Sequence, residues 1–506
     1  MAVELAAIFP GKEEAFESRS RSYEHLNYEE EEMKKALLAF MMFLSSAGFA
    51  AAADDASWLE IGGDYQYRFD ALKGTVHEYY AFKDVLPWQL GGMTPPPPAT
   101  VKSYDVKNDS LMTNRFGLNL KANAMEDVTV KARLLMYKVW GHETSSPVDG
   151  SYFSDRAPGP NDGTIGHIPQ DNTLRVDYAY ATVSNIGELP LWFSVGRRPT
   201  TGGVPTNIRN NSEKVGSAGV PGIMVDFAFD GATVGYAPYI ESMPGAFVKL
   251  CYGKGFDSGY FDPTTGTSLK DTDFYGVMAS LYDTENLRAQ VQYQKGANIF
   301  DAPSDGSTLT GPVRHNLGDI DWVGGVVMGK VSNLNLFFSA AQSQTHPNNQ
   351  LYEVNAGPAG YIPVAGLMYD AGSPAEGRTG TAVYVGGRYD IDSTGTKIGA
   401  EYNQGSKNWI GMVPASDDVW TGKLGTRGSV YEVYIIQELK NKPISKKGKA
   451  FFKLGYQVYK FDYTGSNNWV GAPKKISDLA ASPANAQMLA PIDKATDIYL
   501  TFEVRF

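Results

Sequence analysis

The side chains best placed to do chemistry in this chain are charges that recur at every second position of otherwise apolar segments. Leu59, Ile61, Tyr65, Tyr67 and Phe69 alternate with Glu60, Asp64, Gln66, Arg68 and Asp70, and Phe116, Leu118 and Leu120 alternate with Arg115, Asn119 and Lys121. A period of two sends the two sets to opposite faces of a β-strand. By the same parity Arg68, Arg115, Lys121, Lys131, Arg133, Arg175, Asp177, Arg288, Arg388, Lys397 and Lys453 share the polar face with Glu60, Asp64, Asp70, Glu401 and Glu503. A Lys or Arg turned to lipid near the bilayer midplane costs about 2–4 kcal/mol, so an apolar face in lipid implies that these charges face water. Opposed bases and acids around a water-filled lumen order water and select ions. The plainer alternative is that they solvate the wall and pair with one another. The set leans basic, which predicts a weak preference for anions.

A second group lies in a connection. Arg197 and Arg198 end an apolar-alternating segment, and Arg209 follows Thr201-Gly202-Gly203-Val204-Pro205 within loop 199–220. That loop and loop 142–173 are both candidates to fold inward and narrow a pore. No catalytic, metal or cofactor residues are expected. His142, His167, His315 and His346 are scattered without ligand spacing. Asp171-Asn172 and Asp417-Asp418 lack the length of a calcium loop. His142-Glu143-Thr144-Ser145-Ser146 is a local grouping of the nucleophile-and-base type, but polar loop composition accounts for it. The single cysteine, Cys251, excludes an intrachain disulfide framework and covalent c-type haem.

The elements that must position these residues are strands. The alternation returns at 287–294, 452–458 and 498–506, while helical spacing is nearly absent after residue 53. Short connections at 125–127, 185–190, 230–231, 283–286, 331–333 and 390–395 alternate with long ones near 72–109, 142–173, 199–220, 255–270, 298–318, 345–378, 405–425 and 464–494. Short periplasmic turns and long external loops mark a bacterial transmembrane barrel. Backbone amides in hydrocarbon must all be bonded, so the sheet must close. Both ends then lie on one side, which requires an even strand number. Counting 231–255 as one irregular rising strand gives about 16 strands, with 18 the alternative. A barrel of that size has a lumen too wide for its own wall side chains to fill. Pro95 to Pro98, in the loop at 73–109, form a stiff stretch suited to a projecting surface.

The two ends of the chain suggest a destination. Residues 33–53 carry Met33-Lys34-Lys35, an apolar run and Ala50 to Ala53, which is the pattern of a cleaved signal peptide. The run is shorter than the roughly 20 residues that a spanning helix needs. Residues 1–32 are charged and unpatterned, and read as an upstream extension mis-assigned ahead of a true start at Met33. The barrel then occupies 57–506. The last strand ends on Phe506, the kind of terminal aromatic by which the barrel-assembly machinery of Gram-negative outer membranes recognises its clients. A formal net charge of −11 argues against a nucleic-acid partner.

Asn114-Arg115-Phe116-Gly117-Leu118-Asn119, Leu174-Arg175-Val176-Asp177-Tyr178-Ala179-Tyr180 and Val195-Gly196-Arg197-Arg198-Pro199 resemble segments of porin-like proteins. The chain as a whole is similar to an uncharacterised porin-like outer-membrane family. That resemblance implies a barrel in outer-membrane lipid through which small solutes or ions diffuse passively, and it supplies no catalytic residue. A homotrimer is left open, as porins are commonly trimeric. Two rivals stand beside the channel: a sheath around a cytochrome partner, and a non-conducting adhesin or structural barrel.

Overall fold

The computed structural model describes residues 58–506 apart from 90–98, 142–168, 170, 200–201, 213–218, 227, 260–268, 302–314, 356–359, 414–417 and 446–447. The upstream extension, the signal sequence, Pro95 to Pro98, His142, His167 and the grouping at 142–146 lie outside the described residues.

The strands in chain order are β1 (Leu59–Val76), β2 (Tyr104–Met125), β3 (Val128–Val139), β4 (Arg175–Val183), β5 (Leu191–Arg198), β6 (Phe229–Tyr236), β7 (Phe247–Phe256), β8 (Thr272–Asp283), β9 (Leu287–Phe300), β10 (Asn316–Val331), β11 (Leu334–Pro347), β12 (Tyr352–Asn355), β13 (Tyr361–Gly366), β14 (Tyr369–Asp370), β15 (Thr379–Ile391), β16 (Thr396–Gly405), β17 (Gly428–Glu438), β18 (Lys449–Phe461) and β19 (Ile492–Arg505). Sixteen of them close one antiparallel barrel in which each strand pairs with its neighbour in sequence. β12, β13 and β14 form a small separate sheet between β11 and β15. Two short helices, α1 (Phe82–Gln89) and α2 (Thr206–Arg209), lie in long connections.

Closure follows from the alternation at the two chain ends. β1 and β19 pair from Asp64 opposite Arg505 up to Lys73 opposite Thr496. Gly63 and Phe506 exchange backbone hydrogen bonds of 2.9 and 3.0 Å. The terminal residue is thus stitched into the seam. Outward positions are apolar and exposed, including Val234, Leu250, Val291, Val327, Leu336, Val433, Leu454 and Leu500. Tyr252, Tyr275, Tyr293, Tyr389 and Tyr431 are exposed on the same face. An apolar band with aromatic residues on its surface is the lipid-facing pattern of a transmembrane barrel.

One connection differs from the expected path. Asp230-Gly231 is not a turn, and 231–255 is not a single strand. Both residues sit in β6, paired with β5 and β7. A side chain at Gly231 would meet the Tyr252 carbonyl at 2.0 Å, so the glycine serves close packing between strands. The turn lies at 237–246, closed by Gly245 at φ +74. Residues 221–226 and 228 belong to the preceding connection, which enters the barrel; the total of sixteen is unchanged.

Candidate functional site

Two long connections fill part of the lumen. The segment between β5 and β6 brings Val204, Ile208, Ile223, Met224 and Val225 inside. The segment between β16 and β17 brings Trp409, Ile410, Met412, Val413 and Leu424 against them. Val225 and Met412 form a parallel bridge, and the Asp226 amide donates to the Met412 carbonyl at 2.7 Å. The wall that receives them contributes Phe274 of β8, Ile320, Trp322, Val326 and Met328 of β10, Phe337 of β11 and Tyr384 of β15 to the same cluster, with buried Gln290, Gln292 and Gln294 of β9 and Ser339 and Ser343 of β11 interspersed. Trp322 Nε1 donates to the Ile410 carbonyl at 2.8 Å, which ties the second segment to the wall.

The other side of the lumen, walled by β1–β4 and β17–β19, is charged. Arg209, at the end of α2, reaches across to Asp418 at 2.6 Å and Glu432 at 3.2 Å. Lys423 bonds Glu401 and Glu432, each at 2.5 Å. Tyr499 donates to Glu432 at 2.5 Å, and Tyr384 donates to Glu401 at 2.6 Å. Gln457 donates to both Asp418 and Glu432. The two loop bases, Arg209 and Lys423, thus share carboxylates of the wall and of the second loop. Removing charges from water is costly, and only this degree of pairing offsets it. The end of α2 is held the same way. Arg388 donates to the Ile208 carbonyl at 2.6 Å, Arg505 to Asn210 at 2.6 Å and Asn211 at 3.0 Å, and Lys397 to Asn211 Oδ1 at 2.8 Å. Cations on the last carbonyls of a helix suit their partial negative charge.

Below this network lies a cavity of roughly 370 Å³. Arg68, Arg115, Arg133, Arg209, Lys453 and Arg505 line it with Asp64, Glu432 and Glu503. Arg133 binds Asp64 at 2.7 Å and Asp177 at 3.3 Å, and Arg115 lies 4.0 Å from Asp64. Arg68 binds Asp70 at 2.6 Å and Asp497 at 2.9 Å and lies over the Tyr499 ring. Toward the long-loop end this half is covered by Val419 and Trp420, packed on Leu72, Leu111, Val139 and Tyr459. Trp420 Nε1 donates to the Thr496 carbonyl at 2.9 Å.

The sequence-derived residues therefore separate. Arg68, Arg115, Arg133, Lys453 and Arg209 meet at the cavity, with Asp177 bonded to Arg133. Lys121, paired with Glu60 at 2.6 Å, stands opposite Lys131 near the short-turn end. Arg288 is bound to Asp283 at that same end, at 2.8 Å. Arg175 is bound to Asp171 at the long-loop rim, and Arg388 stands beside α2. Arg198 faces inward over the Tyr180 ring. Arg197 does not line the lumen. Buried Ser194 fixes the inner face of β5, and Arg197 lies on the other face against Asp230 at 3.3 Å. Parity admits only one of two consecutive arginines. Asp418, considered for calcium, is an ion-pair partner of Arg209. His315 and His346 pair with Glu353 and Asp321. No metal-holding cluster occurs among the described residues.

Two anchors secure the rim. Asp171 accepts from Arg175 and from the Thr173 amide, and these bonds lower its pKa to about 2. Asp271 accepts from Lys254 and Ser258, with its pKa likewise lowered to about 2.

Sequence reasoning missed Lys423, Glu432, Tyr434 and Tyr499. The available signal was the apolar content of 409–424, where Trp409, Ile410, Met412, Val413, Val419, Trp420 and Leu424 crowd a supposedly exposed loop.

Among solved structures, the chain is similar to in-vitro folded OmpT, an outer membrane protein of Vibrio cholerae, at 11% identity over 90% of this chain and 100% of that one, with a TM-score of 0.41. It is similar to an anion-selective porin from Comamonas acidovorans at 11% identity over 88% and 99%, with a TM-score of 0.41. It is also similar to OprB of Pseudomonas putida at 12% identity over 88% and 94%, with a TM-score of 0.41. No curated protein sequence matches it. The family model described as "Protein of unknown function (DUF3373)" matches residues 105–506, and the chain belongs to that family.

Proposed function

We propose that the protein is a non-enzymatic channel of the Gram-negative outer membrane through which small solutes or ions diffuse passively, with a weak preference for anions. The observation that carries this reading is the uneven filling of the lumen. One half is packed with apolar loop, while the other keeps a charged cavity whose lining holds more bases than acids. Fixed charge around confined water is what ion selection requires. The route is narrow, because Trp420 and Val419 cover the charged half at its outer end. A lumen occupied by the protein's own loops leaves little space for a cytochrome, which weighs against the sheath reading. The predicted signal sequence supports export to the outer membrane.

The test is single-channel recording of the folded mature protein in a planar bilayer. The expected result is small, stable steps with an anion-leaning reversal potential. A folded, heat-modifiable barrel that gives no steps, or one that selects cations, overturns the reading.

A further inference from the structure

We infer that Lys453 is the centre of a binding station for small organic carboxylates within the lumen. This deepens the channel reading and rests on it only for the role of a stop along the route.

Lys453 projects from β18 into the cavity and is 9% exposed. Every carboxylate near it is already engaged. Glu432 accepts from Lys423, Arg209, Gln457 and Tyr499, and Glu401 from Lys423, Tyr384 and Tyr434. The Lys453 ammonium instead lies 5.2 Å from the centre of the Tyr434 ring and 5.0 Å from that of Tyr499. Ring faces attract a cation but leave its N–H donors unused.

The two rings are held in place by the wall. A Cβ at Gly455 would lie 2.2 Å from the Tyr499 ring, and one at Gly399 would lie 2.2 Å from that of Tyr434. Each tyrosine thus lies flat over a glycine, and each hydroxyl is fixed by a buried glutamate. The result is a positioned ammonium with open donors, set in a cavity with six bases and three acids in its lining.

That constellation fits an oxyanion, since charge-assisted N–H···O bonds are the strong ones. Phe451 and Tyr499 add apolar surface to the lining. A hydrated inorganic anion makes no use of such surface, whereas the hydrocarbon part of a carboxylate does.

The experiment uses the mature full-length barrel, with benzoate, inorganic phosphate and chloride as probes and folding checked by heat-modifiable migration. Binding is measured by calorimetry in detergent, and block of the chloride current is measured in planar bilayers. Benzoate is expected to bind more tightly than phosphate. Lys453→Gln is expected to weaken benzoate binding about tenfold, the effect of losing one charge-assisted contact, while Lys453→Arg retains most of it. Lys453-dependent benzoate binding in a barrel that never conducts keeps the station and removes the channel reading. A conducting barrel whose benzoate binding is unchanged by Lys453→Gln keeps the channel and overturns the station. Phosphate binding tighter than benzoate overturns the assignment to organic anions.

Discussion

The two halves of the lumen are closed by the same kind of residue doing different work. In the apolar half, Trp322 projects from the wall into a loop-filled core and anchors the Ile410 carbonyl. In the charged half, Trp420 projects from a loop onto the wall and anchors on Thr496. The first belongs to a continuous hydrophobic cluster shared by wall and loops. The second is part of a thin cover over the cavity side. Burial alone does not distinguish them, since both are nearly inaccessible. What lies behind each one does, and under the channel proposal it places the route on one side of the barrel.

The largest expected effect comes from removing that cover. Trp420→Ala should raise single-channel conductance severalfold, because it thins the cover over the charged half. Trp322→Ala should lower the thermal midpoint by an amount corresponding to about 3–5 kcal/mol, the usual cost of truncating a buried Trp, with little change in conductance. Paired bilayer recordings and thermal melts of the two variants check this. Equal conductance gains from both would break the division of the lumen.

A smaller effect is expected from Glu432→Gln. Glu432 joins Arg209, Lys423, Gln457 and Tyr499. Neutralising it leaves both bases with a second acid, Asp418 for Arg209 and Glu401 for Lys423. The loss should therefore be nearer about 3 kcal/mol than the upper end of the range for a broken buried pair. The lining also gains one unit of positive charge, so the reversal potential should move toward stronger anion preference. A stable variant with unchanged selectivity would show that this cluster lies off the ion path.

The strands were legible because lipid leaves no freedom on the outer face: an apolar outward set forces the alternation that defines β1, β2, β9, β18 and β19. The lumen was less legible, because water and packed loop both suit an inward face. On β10 the inward Ile320, Trp322, Val326 and Met328 are as apolar as the outward Val323 and Val327, and that loss of alternation is the trace of the plug. Arg209 could be singled out by its place in a Gly-rich loop. Its partners Asp418 and Glu432 are more than 200 residues away, and no local pattern links them. Arg197 shows the opposite problem, because a strand end read without its register offers two arginines where geometry admits one.

The smallest expected effect concerns the rim, where the two halves should behave alike. Asp171 stands beside β4 of the charged half, and Asp271 leads into β8 of the apolar half. Each has its pKa lowered to about 2 by a basic partner and main-chain or hydroxyl donors. A carboxylate whose folded pKa is depressed stabilises its loop above the unfolded pKa, near 4, and loses that contribution as pH falls through the folded value. Both anchors should therefore hold at pH 4 and release together as the pH drops through about 2. Pepsin is active across this range, so peptide mapping reads the release directly. Cleavage near Leu174 and near Phe256 should rise in parallel below about pH 3. If one site opens a full pH unit before the other, the rim shares the asymmetry of the lumen, and the contrast between the halves extends through the whole height of the barrel.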